Sequence, residues 1–332
     1  MSIHQNHNHF PIITVLMPAY NCAPYVKQAI DSILNQTYPH LEIMVADDGS
    51  TDETRSVIDE IKDPRIKRFH SNTNQGLVAR YNDLMKNSTG DYLTFLASDD
   101  WSSPDRLELQ LNLFQKNPQL AIALGTVAKC DNAGNILQVN NSLPRDNKSI
   151  RDFMKKKESV PSGGLAVMMV KRASYEKHGG FESEYHGIGS DDIAWFLRMS
   201  LDGEIESVPK ILYYYRYNPN SSSRSFSLNP LKYNSHRLAF FLHYQREKNN
   251  GLDDLTGLNS GQYQKFKSTI IENYQKNPNL LYTHIIKSKN LDPKIRLDYC
   301  LKAIKENPRS FKIYRYFLRT FKDYLFKKTD LT

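Results

Sequence analysis

Short apolar runs alternate with segments of helical periodicity across residues 12–130. The runs, which predict strands, cover residues 13–17, 41–46, 66–70, 92–97 and 121–127. Between them, apolar side chains recur every three or four residues, which predicts helices over 25–34, 50–61, 77–85 and 103–114. Strands that alternate with helices in this way favour βαβ units and a mostly parallel sheet, which is an α/β fold.

Two of these helices carry sequence signals for their first turns. Ser50 and Glu53 have the spacing of a capping box, in which each side chain bonds the other residue's backbone N–H. Ser103 followed by Pro104 is typical of a cap and the first helical residue. We therefore expect one helix to open at Ser50 and the other at Ser103.

The pattern changes in the second half of the chain. Residues 132–162 are polar and predict loops, whereas residues 165–170 form an apolar run that predicts another strand. A helix is expected after Gly189, where apolar residues again recur at helical spacing. Beyond Pro230 the pattern predicts short helices, with breaks near residues 249–251, 277–278, 292–293 and 307–308.

The composition is that of an ordinary soluble protein, with 332 residues of which 24% are charged and 39% hydrophobic. The longest apolar runs are too short to cross a bilayer, and the N-terminus lacks the apolar stretch of a secretory signal. Cys22, Cys130 and Cys300 are widely spaced and form no zinc or disulfide pattern. The cytoplasm is therefore the simplest location.

Charge is distributed unevenly along the chain. Residues 230–332 contain 20 Lys and Arg against 9 Asp and Glu, whereas residues 1–229 contain 24 against 27. A basic C-terminal region suggests contact with an anionic surface, either the inner face of the cell membrane or a nucleic acid. No base-reading motif supports nucleic acid. A solvated, lysine-rich helical face explains the same charge, so peripheral membrane contact and a solvated face both remain open.

Polar clusters follow three of the predicted strands. Pro18 begins a turn-forming segment after the first strand, Asp47 and Asp48 follow the second, and Asp99 and Asp100 follow the fourth. In parallel sheets, ligands bind outside the carboxyl ends of the strands, so these clusters define a candidate site. Adjacent carboxylates are costly to desolvate without a cation, and hard oxygen ligands suit Mg²⁺ or Mn²⁺. A solvated turn or a helix cap is the alternative for each pair.

Several strings of residues, taken in order, carry a family resemblance. They are Val15-Leu-Met-Pro-Ala-Tyr-Asn21, Val45-Ala-Asp-Asp-Gly-Ser-Thr-Asp52, Asn74-Gln-Gly76, Gly90-Asp91-Tyr92, Ser98-Asp99-Asp100, Gly179-Gly-Phe181, Asp191-Asp192 and Tyr215-Arg216. Together they resemble the inverting GT-A-fold glycosyltransferases of family 2. The resemblance covers about residues 12–225 and implies a Rossmann-like, mostly parallel central sheet flanked by helices. Outside it lies a C-terminal helical extension.

The resemblance implies a nucleotide-sugar site at the predicted sheet edge. Asp48 would accept the N3–H of uracil, whereas a turn before Gly49 is the alternative role of its side chain. Arg80 would lie near the base or the diphosphate, unless it is a surface arginine. Pro18 and Tyr20 would pack against the base and the ribose. The implied nucleotide-sugar residues are Pro18, Ala19, Tyr20, Asp48, Arg80, Ser98 and Asp99.

The resemblance also implies a bound Mn²⁺ or Mg²⁺ ion. Asp99 matches the last carboxylate of the family's Asp-x-Asp motif, where the metal stabilises the leaving diphosphate. The chain departs from the family at Ala97, which replaces the first aspartate of that motif. It departs again at Asn218, where many relatives have a histidine. The amide oxygen of Asn218 is a further, weaker candidate ligand.

Asp191 and Asp192 match the family's Glu-Asp pair and imply a general base that deprotonates an acceptor hydroxyl. We expect Asp192 to be the base and Asp191 to be its neighbour, with a helix N-cap as the alternative. Trp195 would either stack on a sugar of the acceptor or pack in the core.

The resemblance therefore implies a metal-dependent, inverting glycosyltransferase. It would move one sugar from a UDP-sugar to a saccharide or glycolipid acceptor in surface-glycan biosynthesis. A non-catalytic nucleotide-sugar-binding protein is the alternative, and the Gly-x-Gly-x-x-Gly turn of dinucleotide oxidoreductases is absent. Oligomeric state is not indicated. The expected segments are a disordered lead-in (1–11), a nucleotide-sugar-binding half (12–130), an acceptor and catalytic-base half (131–229) and a basic helical region (230–332).

Overall fold

The computed structural model describes residues 10–139, 144–161, 164–217, 229–287, 293–306 and 308–329. The chain divides into two compact units. The first contains the residues up to His186 together with Asp191–Tyr217, and the second contains Gly187–Ser190 and the residues from Asn218 onward.

The first unit contains strands and helices in alternation. Its strands are β1 (Ile13–Ala19), β2 (Leu41–Asp48), β3 (Ile66–Ser71), β4 (Tyr92–Phe95), β5 (Trp101–Ser102), β6 (Leu120–Cys130), β7 (Ile136–Val139), β8 (Met169–Lys171) and β9 (Glu204–Arg216). Its helices are α1 (Ala23–Leu34), α2 (Thr54–Glu60), α3 (Leu77–Asn87), α4 (Arg106–Lys116), α5 (Asn147–Lys157), α6 (Gly164–Val167), α7 (Arg172–His178) and α8 (Asp191–Met199).

These strands form one sheet in the order β3-β2-β1-β4-β8-β6-β9-β5, with β7 paired to β6. The first four strands in this order run parallel, and so do β6 and β9. In contrast, β8 runs antiparallel to β4 and to β6, and β5 runs antiparallel to β9. The mostly parallel sheet predicted from the alternation is confirmed.

Strands β1 and β2 are buried along their whole length. Pro18 is accommodated inside β1 because the pairing of β1 with β4 stops at Leu16 and Phe95, so no ladder bond is needed from residue 18 on that side. On its other side, Pro18 lies opposite Ala46 of β2. The carboxyl ends of these parallel strands consequently open onto one edge of the sheet.

Both predicted helix starts lie too early in the sequence. Helix α2 begins at Thr54 and has no side-chain cap. The Ser50 hydroxyl, expected to cap it, instead accepts a hydrogen bond from the backbone N–H of Asn21 (3.0 Å). Helix α4 begins at Arg106 rather than at Ser103. The cap prediction at Ser50 failed because a bond to a neighbouring loop replaced the local one.

Two other local predictions are wrong. The segment 132–162, predicted to be loop, contains β7 and α5, and the strand predicted at 165–170 is divided between α6 and β8. Helix α5 buries only Ile150 and Met154, so its apolar stripe is too sparse for the periodicity to indicate a helix.

The described part of the second unit is helical. Its helices are α9 (Ser235–Lys248), α10 (Gln262–Lys276), α11 (Pro278–Lys287), α12 (Pro293–Glu306) and α13 (Phe311–Thr329). The breaks predicted near 249–251 and 277–278 are confirmed, and those near 292–293 and 307–308 fall partly outside the described residues. Among the helices that the structure describes, none is long and apolar enough to cross a membrane.

A fully buried arginine, Arg106 of α4, fixes the end of β4 in the first unit. Its Nη2 donates to Thr94 Oγ1 (2.7 Å) and to the carbonyl oxygens of Phe95 (3.1 Å) and Ala166 (3.0 Å). Its Nη1 donates to Ser102 Oγ (2.9 Å). Burial lowers the pKa of Arg106 to about 10. This one side chain therefore joins β4, β5, α4 and α6 next to the sheet edge.

Replacing Arg106 with methionine should destabilise the first unit by about 3 kcal/mol, because two backbone carbonyls and two hydroxyls lose their donor. Urea unfolding followed by tryptophan fluorescence would measure this, since Trp101 and Trp195 both lie in that unit. Arg55→Met, on the exposed face of α2, is the matched control and should change stability by less than about 0.5 kcal/mol. Equal effects of the two variants would contradict this role of Arg106.

Candidate active site

Direct hydrogen bonds join the loop after β1 to the loop after β2. The backbone N–H of Cys22 donates to Thr54 Oγ1 (2.7 Å), and the carboxamide oxygen of Asn21 accepts from the backbone N–H of Thr51 (2.9 Å). Chain segments from two parallel strands are thereby fixed together at the sheet edge.

Three residues at the end of β1 are expected to contact the nucleotide. Pro18 and Ala19 are buried in the strand, whereas the Tyr20 side chain is 47% exposed. Tyr20 is therefore the one of these three that presents a large surface at the edge.

Asp48 is buried at the end of β2 and accepts three hydrogen bonds. Its Oδ1 accepts from the backbone N–H of Gln75 (3.0 Å) and from Arg80 Nε (2.7 Å), and its Oδ2 accepts from the backbone N–H of Gly76 (2.9 Å). The alternative role of Asp48 was a hydrogen bond within the turn before Gly49. In the structure Asp47 makes a bond of this kind, because its Oδ1 accepts from the backbone N–H of Ser50 (3.3 Å). Because a carboxylate oxygen can accept two hydrogen bonds, Asp48 Oδ2 can take one more donor.

Arg80 lies on α3 and is 7% exposed, so it is not a surface arginine. Besides its bond to Asp48, its Nη1 contacts Asp83 (3.2 Å). Its Nη2 is buried and has no hydrogen-bond acceptor among the residues that the structure describes. A buried donor without a partner is costly, which marks this position as a place for a ligand acceptor.

Asp100, in the turn after β4, is 2% exposed and held by two donors from β9. The Tyr213 hydroxyl donates to its Oδ2 (2.7 Å), and the backbone N–H of Arg216 donates to its Oδ1 (2.7 Å). The Tyr213 oxygen itself accepts from the backbone N–H of Ala97 (3.1 Å). Burial, together with the charge of Asp99, raises the pKa of Asp100 to about 7. Asp100 is thus built into the turn.

The guanidinium of Arg216 also holds the turn after β4. Its Nε donates to the carbonyl oxygen of Asp99 (2.9 Å), its Nη1 to that of Asn132 (2.7 Å) and its Nη2 to Gln28 Oε1 (2.5 Å). Its Cζ lies 4.8 Å from the ring centroid of Trp101. These contacts use the donors of the guanidinium to hold the backbone around Asp99.

Asp99 differs from Asp100 because its carboxylate accepts no hydrogen bond from another residue in the described ranges. It is partly exposed, and burial raises its pKa above the usual range. Ser98, beside it, is 8% exposed. An oxygen ligand with free lone pairs in a desolvated place fits Mg²⁺ or Mn²⁺.

No group of three or more His, Cys, Asp or Glu side chains among the described residues is arranged to hold an ion. Asp99 therefore fits an ion whose other ligands come from a bound diphosphate and water. Asn218, the second candidate ligand, lies outside the described residues.

Asp191 and Asp192 begin helix α8. Burial and the charge of Asp192 raise the pKa of Asp191 to about 6, against a smaller lowering effect of His186. Burial also raises the pKa of Asp192, whose Oδ1 accepts from the backbone N–H of Ile193 (2.8 Å). Carboxylates with raised pKa values are suited to accept a proton near neutral pH.

The acidic residues of the two segments both act on the buried phenol of Tyr81. Burial raises its pKa, and the negative charges of Asp191, Asp100, Asp192 and Asp99, in that order, raise it further. Residues that are about 90 positions apart in the chain thus act on one side chain in the first unit.

Trp195 is completely buried, and its Nε1 donates to the carbonyl oxygen of Gly179 (2.9 Å). Its ring packs on Phe95 and Phe181, with centroid distances of 5.3 and 5.4 Å. In this structure Trp195 therefore has no exposed face for a sugar. It packs in the core, which was the alternative left open by the sequence.

The sequence did not indicate the roles of Tyr81, His186 and Tyr213, nor what Arg216 does. His186 is exposed, and its Cε1 lies near Gly76 of the Asp48 site. Arg216 belongs to a family string, but its contact with the Asp99 turn spans 117 positions. No local pattern indicates such a contact.

Comparisons with known proteins identify the family of this chain. A family model described as glycosyl transferase family 2 matches residues 14–179. An uncharacterized glycosyltransferase of Haemophilus influenzae is 34% identical over 243 residues, which cover 72% of this chain and 90% of the relative. The chondroitin synthase of Pasteurella multocida is 30% identical over 216 residues, which cover 64% of this chain and 21% of that enzyme.

Among solved structures, residues 1–349 of Staphylococcus aureus TarS in complex with UDP-GlcNAc superpose with a TM-score of 0.56 at 14% identity. The match covers 95% of this chain and 80% of that one, and at this identity it supports the fold alone. The first unit therefore has the GT-A fold, and the chain belongs to glycosyl transferase family 2. Both confirm the resemblance noted in the sequence.

The turn that carries Asp48 depends on Gly49, which has a φ of +73°. A Cβ at this position would lie 2.7 Å from the carbonyl carbon of Thr73, which is too close for any side chain. Gly134 has a φ of +89°, but its nearest neighbour would be the Trp101 ring at an ordinary 3.8 Å.

Gly49→Ala should therefore destabilise the first unit more than Gly134→Ala does. The control carries only the conformational strain of positive φ, about 1–2 kcal/mol, and the steric overlap at Gly49 should add at least about 1 kcal/mol. Urea unfolding of both variants measures the difference. Equal destabilisation would mean that the Thr73 backbone moves away freely.

Proposed function

We propose that this chain is an inverting glycosyltransferase that moves one sugar from a UDP-sugar to a hydroxyl of a saccharide acceptor. The observation that carries the proposal is that the acidic residues of the site have different surroundings. Asp48 is bonded to Arg80 beside β2, and Asp191 and Asp192 have raised pKa values at α8. The Asp99 carboxylate, after β4, accepts no hydrogen bond from another residue that the structure describes.

Uridine is the base that this site suits. Asp48 Oδ2 accepts one hydrogen bond within the protein and can accept a second from the N3–H of uracil. Cytosine has no N3–H and would leave this acceptor unpaired. The unpartnered Arg80 Nη2 supplies a donor for a carbonyl oxygen of the base or for the diphosphate. The UDP-GlcNAc bound to TarS, a protein of the same fold, supports a uridine donor.

Asp99 would hold a Mn²⁺ or Mg²⁺ ion together with the diphosphate. Such an ion supplies positive charge that stabilises the departing UDP. The chain's own part would be to hold the backbone of this turn, and the Arg216 bond to the Asp99 carbonyl oxygen and the two bonds to Asp100 support that role.

Asp192 would remove the proton from the acceptor hydroxyl as its oxygen bonds to the anomeric carbon. The bond from that carbon to the diphosphate oxygen breaks in the same step, and UDP leaves with the electron pair. A single displacement of this kind inverts the anomeric configuration. The negative charge of Asp192 helps to raise the pKa of the neighbouring Asp191.

The acceptor is proposed to be a growing saccharide of a surface glycan. The chondroitin synthase among the relatives, which makes a polysaccharide by its name, supports this class. We propose that one sugar is transferred each time the enzyme binds an acceptor, because the Gln-x-x-Arg-Trp signature of processive synthases is absent from the sequence.

Asp192→Asn should lower the release of UDP from a UDP-sugar by about 10²- to 10⁴-fold, because the amide cannot accept the proton. Its oxygen can still accept from Ile193, so the fold and UDP binding should be unchanged. Donor hydrolysis with Mn²⁺, starting with UDP-N-acetylglucosamine, measures turnover, and titration calorimetry with UDP measures binding.

Asp191→Asn is the matched control and should retain much more activity than Asp192→Asn. Inactivity of Asp191→Asn with full activity of Asp192→Asn would reverse the assignment of the base. A wild-type chain that binds UDP but releases none from any donor would instead be the non-catalytic nucleotide-sugar-binding protein.

A further inference from the structure

Helix α13 of the second unit has one buried face. Ile313 is 5% exposed and joins Ile286, Cys300 and Ala303 in a small core shared with α11 and α12. Thr320, seven residues along the helix from Ile313, is also buried. Residues seven positions apart lie on the same side of a helix, so Ile313 and Thr320 mark the side of α13 that faces α11 and α12.

The outer side of α13 carries an apolar stripe that the described structure leaves exposed. Phe311 is 84% exposed, Tyr314 40%, Leu318 66% and Phe321 41%. These positions follow one another at spacings of three, four and three residues, so they line one face of the helix. Single exposed apolar residues are ordinary, but an aligned stripe of four marks an interaction surface.

A basic stripe runs beside the apolar one. Lys312, Arg315 and Arg319 each lie one residue after a member of the apolar stripe, and all three are exposed. One residue corresponds to a turn of about 100° on a helix, so the two stripes are neighbours on the outer side. Residues 311–329 contain a single acidic residue, Asp323, which pairs with Arg296 of α12 (2.9 Å).

We propose that this face of α13, which consists of the apolar stripe and the basic stripe, docks on an anionic lipid surface. A helix with aromatic and aliphatic residues on one side and Lys or Arg beside them lies in the plane of a membrane interface. The apolar side chains enter the boundary of the acyl chains, and the basic ones reach the negative headgroups.

Charge favours lipid over a second copy of this chain. Residues 230–332 carry 20 Lys and Arg against 9 Asp and Glu, so two such faces brought together would repel. An anionic membrane surface attracts the same charge. The inference does not depend on the sugar-transfer reaction, although docking would place the chain where lipid-linked saccharides are found.

Flotation of the full chain with vesicles tests the proposal. We expect binding to vesicles of phosphatidylglycerol and phosphatidylcholine, weaker binding to phosphatidylcholine alone, and loss of binding at high salt. Replacing Lys312, Arg315 and Arg319 with glutamine should weaken binding by about a hundredfold, because each basic residue contributes about fivefold. Phe311→Ser combined with Leu318→Ser should weaken it by at least about tenfold.

Lys155, Lys156 and Lys157 of α5 offer a matched control, since all three are exposed and their change to glutamine removes the same charge. This control should bind vesicles within about threefold of the unaltered chain. Equal loss in the two triple variants, or no preference for anionic vesicles, would overturn the proposal. So would light scattering that shows dimers which Phe311→Ser with Leu318→Ser dissociates, because the stripe would then cover a second copy.

Discussion

The site depends on the desolvation of like-charged carboxylates at one edge of a sheet. Asp48 forms an ion pair with a buried cation, Arg80 (2.7 Å). Asp100 has two neutral donors and a pKa raised to about 7, and Asp191 reaches about 6. Burial also raises the pKa of Asp99. A cation or a proton stabilises carboxylates in such surroundings, and the proposed reaction uses a cation at the leaving diphosphate and a carboxylate that takes the proton of the acceptor.

Hydrogen bonds from segments that are distant in the sequence hold the turn that carries Asp99 and Asp100. Strand β9 supplies Tyr213 and Arg216, which hold the turn after β4 through one carboxylate and one carbonyl oxygen. Arg106 holds the preceding residues of β4 through the carbonyl oxygen of Phe95. These bonds hold the backbone of the turn, and the Asp99 carboxylate accepts no hydrogen bond from another residue that the structure describes.

Local patterns predicted the parallel half of the sheet well, because its strands are short apolar runs and its helices have dense apolar stripes. They failed where a partner is remote. The Ser50 hydroxyl bonds Asn21 across a neighbouring loop, and α5 buries too few side chains to show its period. The family strings named Asp48 and Asp99, but not the Tyr213 bond to Asp100, which spans 113 positions. Such contacts depend on which strands lie side by side in the sheet, and the spacing of residues along the sequence does not show this.

The central claim is that Asp48 selects uridine and Asp99 binds the metal for one transfer reaction. Release of nucleoside diphosphate from a panel of UDP-, CDP- and GDP-sugars, with Mn²⁺ and with EDTA, tests it most directly. The account predicts UDP release from at least one UDP-sugar, its loss in EDTA, and no release from CDP- or GDP-sugars. Preferred release from a CDP- or GDP-sugar, or UDP release that EDTA leaves unchanged, would contradict it.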